Sequence, residues 1–310
     1  MESGMDSLLS RWRKIINQLE NIPHLSIIPQ PEMKNFTTWK VGGKALALVE
    51  VRNGGCLDEV ISSCEREGIK WKILGRGSNV LVKDEGFPGV VIKLGGEFCE
   101  LKREGNCIEG GAGAPLSHLV SFAREECLGG IEFLVGVPGT VGGAVRINAG
   151  CFGKEIGPLV KKVEIREENG NREWLNRDDL FFSYRYSNLK KEKIVILKAV
   201  FNLFPEEQEI LEEKIREFCY LRKEGQPLEW PSAGSVFLNP EGNSAARIIE
   251  EMGLKGLRLG RAQISSKHSN FIVNLGGAKS WEIEYLINWV QKEVYKNKGI
   301  WLEREVELWP

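Results

Sequence analysis

Glycine density between residues 136 and 150 is the feature that most constrains how this chain can fold. The segment GVPGTVGGAVRINAG contains five glycines, together with Thr140 and Asn148. Glycine lets a backbone approach a ligand or a second backbone closely, and it weakens regular helices and strands. The segment therefore predicts an irregular loop that wraps around a bulky planar cofactor, or else a buried crossover between sheets.

A second glycine-rich segment, Gly75-Arg76-Gly77-Ser78-Asn79, lies between the strand-like runs KIL and VLV. Consecutive backbone N–H groups in such a loop can bind a pyrophosphate, although the same pentapeptide is also typical of a tight β-turn. No Gly-Lys-Ser/Thr follows, so it is not a Walker loop, and the strand that follows disfavours a Rossmann unit. Two such segments, separated by one helix and several strands, favour a nucleotide-type cofactor.

The hydrophobic pattern predicts an alternation of short strands and helices. Runs rich in β-branched residues predict strands at ALALVEV, KILG, NVLVKD and GVVIKL. Apolar residues at helical spacing predict helices before Pro23 and over residues 56–67, 116–126 and 281–298. Strands interleaved with helices in this way indicate an α+β chain.

Turn and helix-start signals suggest how the chain divides. Asn169-Gly170 predicts a hairpin with a tight primed turn, since both residues tolerate positive φ angles. Pro205 and the acidic run after it predict a helix that ends near Arg222, and IWLEREVEL predicts a last strand over 300–308. We therefore expect an N-terminal helix and lead-in over 1–36, a domain over 37–204 and a second α+β domain over 205–310.

Composition excludes several classes of protein. With 42 Lys plus Arg against 43 Asp plus Glu, the formal charge of -1 offers no net field for nucleic acid or an anionic membrane. The seven cysteines are scattered and contain no C-x-x-C pair, so we expect neither a disulfide framework nor a zinc site. No long apolar run and no export signal are evident, and a cytoplasmic location is the expectation.

Seven segments occur in the order seen in UDP-N-acetylenolpyruvoylglucosamine reductases: FTTWKVGGKA, ILGRGSNVLV, GVPGTVGGAVRINAG, YRYS, PSAGSVFLNP, GLKGLRLGRAQISSKHSNFIVN and LEREV. The sequence resembles that family, and in particular its second structural type, which lacks an extra tyrosine-bearing loop. The resemblance implies a vanillyl-alcohol-oxidase-type (PCMH-type) FAD-binding part of two α+β subdomains over 37–204. It also implies a substrate-binding α+β domain over 205–310, whose last strand returns to the active site.

The resemblance also implies a reaction. NADPH would reduce a noncovalent FAD, and the flavin would then reduce the enolpyruvyl ether of UDP-N-acetylglucosamine enolpyruvate to UDP-N-acetylmuramate. This is a step of peptidoglycan synthesis, and hence of cell-wall biogenesis, cell shape and division. A cytoplasmic monomer without a metal, a nucleic-acid partner or a membrane partner is implied.

Three catalytic residues follow from the resemblance. Arg185 in YRYS would polarise the enolpyruvyl carboxylate, because a guanidinium fork binds a carboxylate bidentately and keeps its charge. Ser235 in SAGSVF would donate the proton to the substrate, and Glu305 in LEREV aligns with the catalytic glutamate of the family. Without the resemblance, the three would be a surface arginine, a turn serine and an edge-strand charge.

The resemblance assigns binding residues as well. The predicted cofactor-binding residues are Gly75, Arg76, Gly77, Ser78, Asn79, Gly136, Gly139, Thr140, Gly142 and Gly143. The predicted substrate-binding residues are Tyr184, Asn239, Lys255 and His268, of which the last three could also be a turn residue, a solvated lysine and a core histidine. The sequence departs from the family pattern at Leu238, Arg261 and Arg304.

Two other functions remain open at the level of sequence. A flavoprotein oxidase or dehydrogenase of another substrate would share the glycine-rich segments, although it would have no reason to carry YRYS, SAGSVF and LEREV together. A non-enzymatic nucleotide-binding regulator would bind flavin or a UDP-sugar without oxidising NADPH.

Overall fold

The computed structural model describes residues 2–19, 22–23, 25–191 and 193–310, with the backbone alone for residues 2–9. The α-helices of this part of the chain are α1 Glu2–Leu19, α2 Gly54–Arg66, α3 Leu116–Glu125, α4 Val141–Arg146, α5 Gln208–Gly225, α6 Ala245–Glu251 and α7 Ser280–Lys298. The strands are β1 Leu25–Pro29, β2 Ala45–Val51, β3 Lys70–Ile73, β4 Val80–Val82, β5 Phe87–Leu94, β6 Leu101–Glu104, β7 Cys107–Gly111, β8 Leu128–Gly129, β9 Gly150–Cys151, β10 Lys154–Glu155, β11 Val160–Arg166, β12 Arg172–Asn176, β13 Phe182–Ser183, β14 Tyr186–Ser187, β15 Val195–Asn202, β16 Phe204–Pro205, β17 Arg258–Leu259, β18 Ala262–Ile264, β19 Ile272–Asn274 and β20 Glu307–Trp309.

The chain forms two compact units, each assembled from separate stretches of sequence. The first unit comprises Met1–Pro29, Leu46–Gly75 and Gly89–Tyr220, and the second comprises Gln30–Ala45, Arg76–Pro88 and Leu221–Pro310. The chain passes from the first unit to the second inside the first glycine-rich segment. The domain limits predicted from the sequence, at 1–36, 37–204 and 205–310, stay a prediction.

The first unit contains two hydrophobic cores, each built on one sheet. The sheet of order β1-β2-β5-β3 packs against α1 and α2, and β2 is buried almost throughout because apolar side chains cover both of its faces. The sheet of order β12-β11-β15-β7-β6 packs against α3 and the segment around α4. Two α+β layers within one unit are what the resemblance implies for the first part of the chain.

The second unit packs two helices on a small antiparallel sheet of order β17-β18-β19. In α7 the buried residues Ile283, Leu286, Ile287 and Val290 recur at helical spacing, which is why this stretch forms a helix with one apolar face. Gly299 ends the helix in the left-handed conformation, with φ of 69°. The parallel pair of β4 and β20 also belongs to this unit, with Val80 opposite Glu307.

Most predicted elements are confirmed, and three predictions are wrong in detail. The glycine-rich segment is not wholly irregular, because Thr140 caps the short helix α4 by accepting a hydrogen bond from Gly143 N–H over 3.4 Å. The hairpin joining β11 and β12 lacks a primed turn: Gly170 alone has positive φ, and its N–H donates to the carbonyl of Glu167 over 3.0 Å. The last strand is limited to Glu307–Trp309, and the residues before it are joined to their neighbours by isolated bonds.

Among the residues that the structure describes, no helix combines the length and the apolar character needed to cross a membrane.

Candidate active site

The first glycine-rich loop presents a row of backbone donors. No described residue accepts a hydrogen bond from the backbone N–H groups of residues 75–79. Gly77 has φ of 66°, and a Cβ at this position would lie 2.2 Å from the carbonyl oxygen of Phe36, so a side chain cannot be accommodated. Consecutive amides without a protein acceptor suit an anionic group such as a pyrophosphate. The loop therefore fits the diphosphate of a dinucleotide cofactor.

The second glycine-rich segment lies beside the turn before α3. Val141 N–H and Gly142 N–H donate to the carbonyls of Ala114 and Ala112, each over 2.9 Å. A Cβ on Gly142 would lie 2.7 Å from the Cβ of Ala112. These two amides are satisfied by the protein itself, and Gly142 allows the close approach of two backbones.

The two glycine-rich segments meet within the first unit. A Cβ added to Gly75 would lie 2.8 Å from Oγ1 of Thr140, so glycine is required where these residues approach each other. The structure thus brings together one residue from each of the two predicted cofactor-binding sets. Of the other members of the second set, Gly136 adopts φ of 70° and Gly139 accepts a hydrogen bond from Leu116 N–H over 3.0 Å.

Arg185 occupies the tip of the two-residue turn between β13 and β14. Its φ of 53° places a non-glycine residue in the left-handed region, which costs about 1–2 kcal/mol and is frequent at functional sites. Its Nη2 donates to the carbonyl oxygen of Gly150 over 2.6 Å, and its guanidinium lies 5.3 Å from the ring centre of Tyr184. The structure therefore places the predicted catalytic arginine at the end of the second glycine-rich segment.

Asn148 links this hairpin to the glycine-rich segment. Its side chain is fully buried, and its Nδ2 donates to Oε2 of Glu155 over 2.7 Å and to the carbonyl of Ser183 over 2.8 Å. Its Oδ1 accepts a hydrogen bond from Gly157 N–H over 2.9 Å. The sequence singled out Asn148 only as a member of the loop; a polar residue embedded in INAG, between small and apolar neighbours, was the available signal.

Ser235 and Glu305 lie on two segments of the second unit that pair with each other. Glu305 N–H donates to the carbonyl of Val236 over 2.8 Å, and Phe237 forms an antiparallel bridge with Arg304. Ser235 is the next residue before this pairing and forms its own bridge with Phe271. The structure thus brings the backbones of two predicted catalytic residues into neighbouring positions.

Asn270 fixes the register of the serine segment. Its Oδ1 accepts a hydrogen bond from Phe237 N–H over 3.0 Å, and its Nδ2 donates to the Phe237 carbonyl over 2.8 Å. The side chain is buried, so both bonds are shielded from water. Sequence reasoning missed this residue, which stands two positions after His268 in the segment HSN.

The predicted substrate-binding residues fall into different surroundings. Tyr184 is exposed beside Arg185, whereas Oδ1 of Asn239 accepts a hydrogen bond from Ala245 N–H over 3.0 Å at the start of α6. Lys255 forms an ion pair with Glu250, with Nζ 3.0 Å from Oε1. The Asn239 bond supports the fold of α6 directly.

His268 is a partly buried neighbour of Lys255. Burial lowers the pKa of His268 below its usual value, and the positive charge of Lys255 lowers this pKa further. Asn270 N–H donates to Nδ1 of His268 over 3.3 Å, which leaves the proton of the neutral ring on Nε2. The structure thus places two predicted substrate-binding residues near each other.

The three departures from the family pattern lie in the second unit. Arg261 and Arg304 are exposed, and Leu238 N–H donates to the carbonyl of Glu303 over 2.8 Å. Nothing in the structure explains why arginine replaces glycine at 261.

Comparison with known proteins accounts for both parts of the chain. A family profile described as "FAD binding domain" matches residues 45–176, and one described as "UDP-N-acetylenolpyruvoylglucosamine reductase, C-terminal domain" matches residues 226–309. The UDP-N-acetylenolpyruvoylglucosamine reductase of Caldicellulosiruptor saccharolyticus is 44% identical over 287 residues, which cover 92% of this chain and 92% of that protein. The enzyme of the same name from Clostridium botulinum is 38% identical over 301 residues, which cover 97% of this chain and 98% of that protein.

A solved structure agrees with these relatives. The crystal structure of UDP-N-acetylenolpyruvylglucosamine reductase from Thermus caldophilus superposes with a TM-score of 0.79 at 37% identity, covering 92% of this chain and 99% of that one. The fold and the matched regions define an FAD-dependent oxidoreductase, which confirms the predicted fold class, enzyme class and flavin cofactor. The chain belongs to the UDP-N-acetylenolpyruvoylglucosamine reductase family.

Proposed function

We propose that this chain reduces the enolpyruvyl ether of UDP-N-acetylglucosamine enolpyruvate to UDP-N-acetylmuramate, with NADPH as the electron source and noncovalent FAD as the carrier. The observation that carries the proposal is the placement of Arg185. Its guanidinium is held in a left-handed turn by a bond to Gly150 at the end of a glycine-rich segment, and a fixed guanidinium fork suits recognition of a substrate carboxylate.

The cofactor would be held mainly by backbone groups. The amides of residues 75–79, which donate to no described residue, are suited to its diphosphate. The chemistry that bound FAD would supply is hydride transfer between NADPH and the substrate. The residues of this chain supply binding, orientation and protons.

Arg185 would bind the carboxylate of the enolpyruvyl group. Hydride arriving at the methylene carbon leaves negative charge on the neighbouring carbon and its carboxylate. A guanidinium keeps its positive charge at any working pH, so it stabilises that charge without proton transfer. The bond to Gly150 holds the side chain in place before substrate arrives, which reduces the reorganisation needed during the reaction.

Ser235 and Glu305 would be the catalytic residues of the second unit. The hydroxyl of Ser235 would donate the proton that completes the reduction, and Glu305 would assist as a second polar group. Their segments are tied by the bond between Glu305 N–H and the Val236 carbonyl, which supports a shared role. General acid assistance contributes about two to four powers of ten in rate. Ser235→Ala should therefore lose about that much activity and keep its flavin.

The test is a visible absorption spectrum of the purified protein, followed without oxygen by NADPH and then by UDP-N-acetylglucosamine enolpyruvate. We expect a flavin spectrum that NADPH bleaches and the substrate restores, and acid denaturation should release free FAD. Flavin that bleaches and recovers only with oxygen would identify an oxidase or another substrate. Binding of a nucleotide without NADPH oxidation would identify a regulator.

We also propose that the enzyme works in the cytoplasm as a monomer. The support is its scattered cysteines, which suit a reducing compartment. Light scattering after size-exclusion chromatography should give a mass near 34.9 kDa. A mass near twice this value would contradict the monomer.

A further inference from the structure

Asn79 connects the first glycine-rich loop to the backbone of Glu305. Its Nδ2 donates to the carbonyl oxygen of Glu305 over 3.1 Å, and its own carbonyl accepts a hydrogen bond from Glu307 N–H over 3.0 Å. All three residues belong to the second unit, although 226 positions separate Asn79 from Glu305 in the sequence. The side chain of Asn79, a predicted cofactor-binding residue, is thus bonded to the segment of the predicted catalytic glutamate.

The backbone of Glu305 is held from two directions. Its N–H donates to the carbonyl of Val236 over 2.8 Å, on the side of the serine segment, and its carbonyl accepts from Asn79 on the side of the glycine-rich loop. Regular strand pairing begins only at Glu307, opposite Val80. The bond from Asn79 is therefore a side-chain contact that locates the carbonyl of Glu305 before the ordered strand starts.

The two anchors of Glu305 are themselves fixed. Asn270 holds Phe237, next to Val236, by two hydrogen bonds. The loop that carries Asn79 is held by Thr38, whose N–H and Oγ1 both donate to the carbonyl of Gly77, over 3.0 Å and 3.3 Å. Because both anchors are fixed, the side chain of Asn79 can set the position of the Glu305 segment relative to the loop.

We infer that Asn79 is a positioning residue, which sets the location of Glu305 through its backbone carbonyl and so ties the cofactor loop to the catalytic glutamate. This inference rests on the proposed function. The prediction that Asn79 binds the cofactor then concerns its backbone N–H, which remains in the row of amides that suits the diphosphate.

The perturbation is Asn79→Ala, which removes the bond to Glu305 and keeps every backbone group of the loop. Thr38→Val is the matched control, because it removes the 3.3 Å bond from Oγ1 to the Gly77 carbonyl, while the shorter backbone bond from Thr38 N–H keeps the loop in place. Asn79→Asp is a second variant of nearly equal size that lacks the N–H donor, in case the alanine variant is unstable. Thermal melts followed by circular dichroism establish which variants fold.

Three measurements separate positioning from cofactor binding. Titration of the apoprotein with FAD gives the cofactor Kd, and stopped-flow absorbance gives the rates of flavin reduction by NADPH and of reoxidation by substrate. Amide exchange of the peptide over 300–310 reports directly on the segment that Asn79 holds. We expect faster exchange in this peptide, together with reoxidation slowed by roughly 10- to 100-fold, as for a catalytic group displaced by about 1 Å.

The affinity of the Asn79 variants for FAD, in contrast, should change little. Loss of a hydrogen bond to a charged phosphate would raise the Kd for FAD by about tenfold or more. We expect instead a change of less than about threefold, because the amides of the loop remain. Reduction by NADPH should keep its rate, and Thr38→Val should resemble the wild type in reoxidation.

A double-mutant cycle with Glu305→Gln tests whether the effect passes through the glutamate. If it does, Asn79→Ala should slow reoxidation less in the Glu305→Gln protein than in the wild type, since the group it positions is already lost. A full additional loss there, a tenfold weaker FAD affinity, or wild-type reoxidation by folded Asn79→Ala or Asn79→Asp would each overturn the inference. Failure of the wild type to reoxidise with substrate would instead refute the proposed function.

Discussion

Replacing Asn148 by aspartate tests whether the two N–H donors of its side-chain amide hold the hairpin that carries Arg185. Asparagine and aspartate have nearly the same shape, and both tolerate the φ of 48° found here, so Asn148→Asp leaves the backbone preference unchanged. The amide, however, donates to Glu155 over 2.7 Å and to the Ser183 carbonyl over 2.8 Å. In the variant, a carboxylate oxygen would replace the amide nitrogen that donates to both acceptors.

The expected loss of stability follows from these contacts. The side chain of Asn148 is fully buried, so a charge without a partner at this position costs about 3–5 kcal/mol, a total that includes the lost part-buried bonds to Glu155 and Ser183. For a unit of roughly 150–250 residues, each kcal/mol lowers Tm by about 2–4 °C. We expect Asn148→Asp to lower Tm by roughly 6–20 °C, measured by circular dichroism at pH 8.

The pH dependence and a second substitution make the explanation specific. Repulsion from Glu155 should raise the folded-state pKa of the new carboxyl above its usual value near 3.9, so its penalty is complete at high pH and shrinks as the group becomes protonated. Glu155→Gln in the same protein supplies an amide donor and should recover about 1–3 kcal/mol. A fall in Tm below about 2 °C, an equal fall at pH 5 and pH 8, or no recovery would refute the reasoning.

Three further outcomes are expected. Gly77→Ala should prevent stable folding, because its Cβ would lie 2.2 Å from a carbonyl oxygen, whereas Gly234→Ala, at φ of 75° in open space, should cost only about 1–2 kcal/mol in thermal melts. Burial raises the pKa of Cys64 to about 12, so Cys64 should resist a thiol reagent at pH 8 while exposed Cys219 reacts, as read by mass spectrometry. Burial holds the folded-state pKa of His268 below the usual value of about 6.5, so the unfolded chain binds more protons just below this pH. Stability should therefore fall as the pH drops below about 6.5, and urea melts of His268→Gln should lose part of this dependence.

The periodic elements could be predicted from sequence because their side chains determine them locally. Helix α7, expected over 281–298, occupies Ser280–Lys298, since one apolar face recurs every three to four residues. Helix α4 was missed because its support comes from a distant contact: Gly142 packs on Ala112, which no local propensity reports. The extent of the last strand was overestimated because alternation alone does not show which residues find a partner strand.

The candidate site was predicted by residue type and order, and its geometry could not be. YRYS predicts an arginine in an aromatic strand, yet Arg185 stands in a turn with positive φ, a conformation for which glycine or asparagine is the usual signal. The bond from Asn79 to Glu305 joins residues 226 positions apart, and no periodicity links them. Such long-range contacts depend on the tertiary fold and become visible only in a structure.

The pairing of β4 with β20 has a consequence for synthesis of the protein. At about 5–20 residues per second, Val80–Val82 emerges from the ribosome roughly 10–45 s before the residues that pair with it. During this interval an apolar strand and the glycine-rich loop before it have no completed unit to join. Ribosome-bound chains should therefore be the form of this protein most dependent on chaperones.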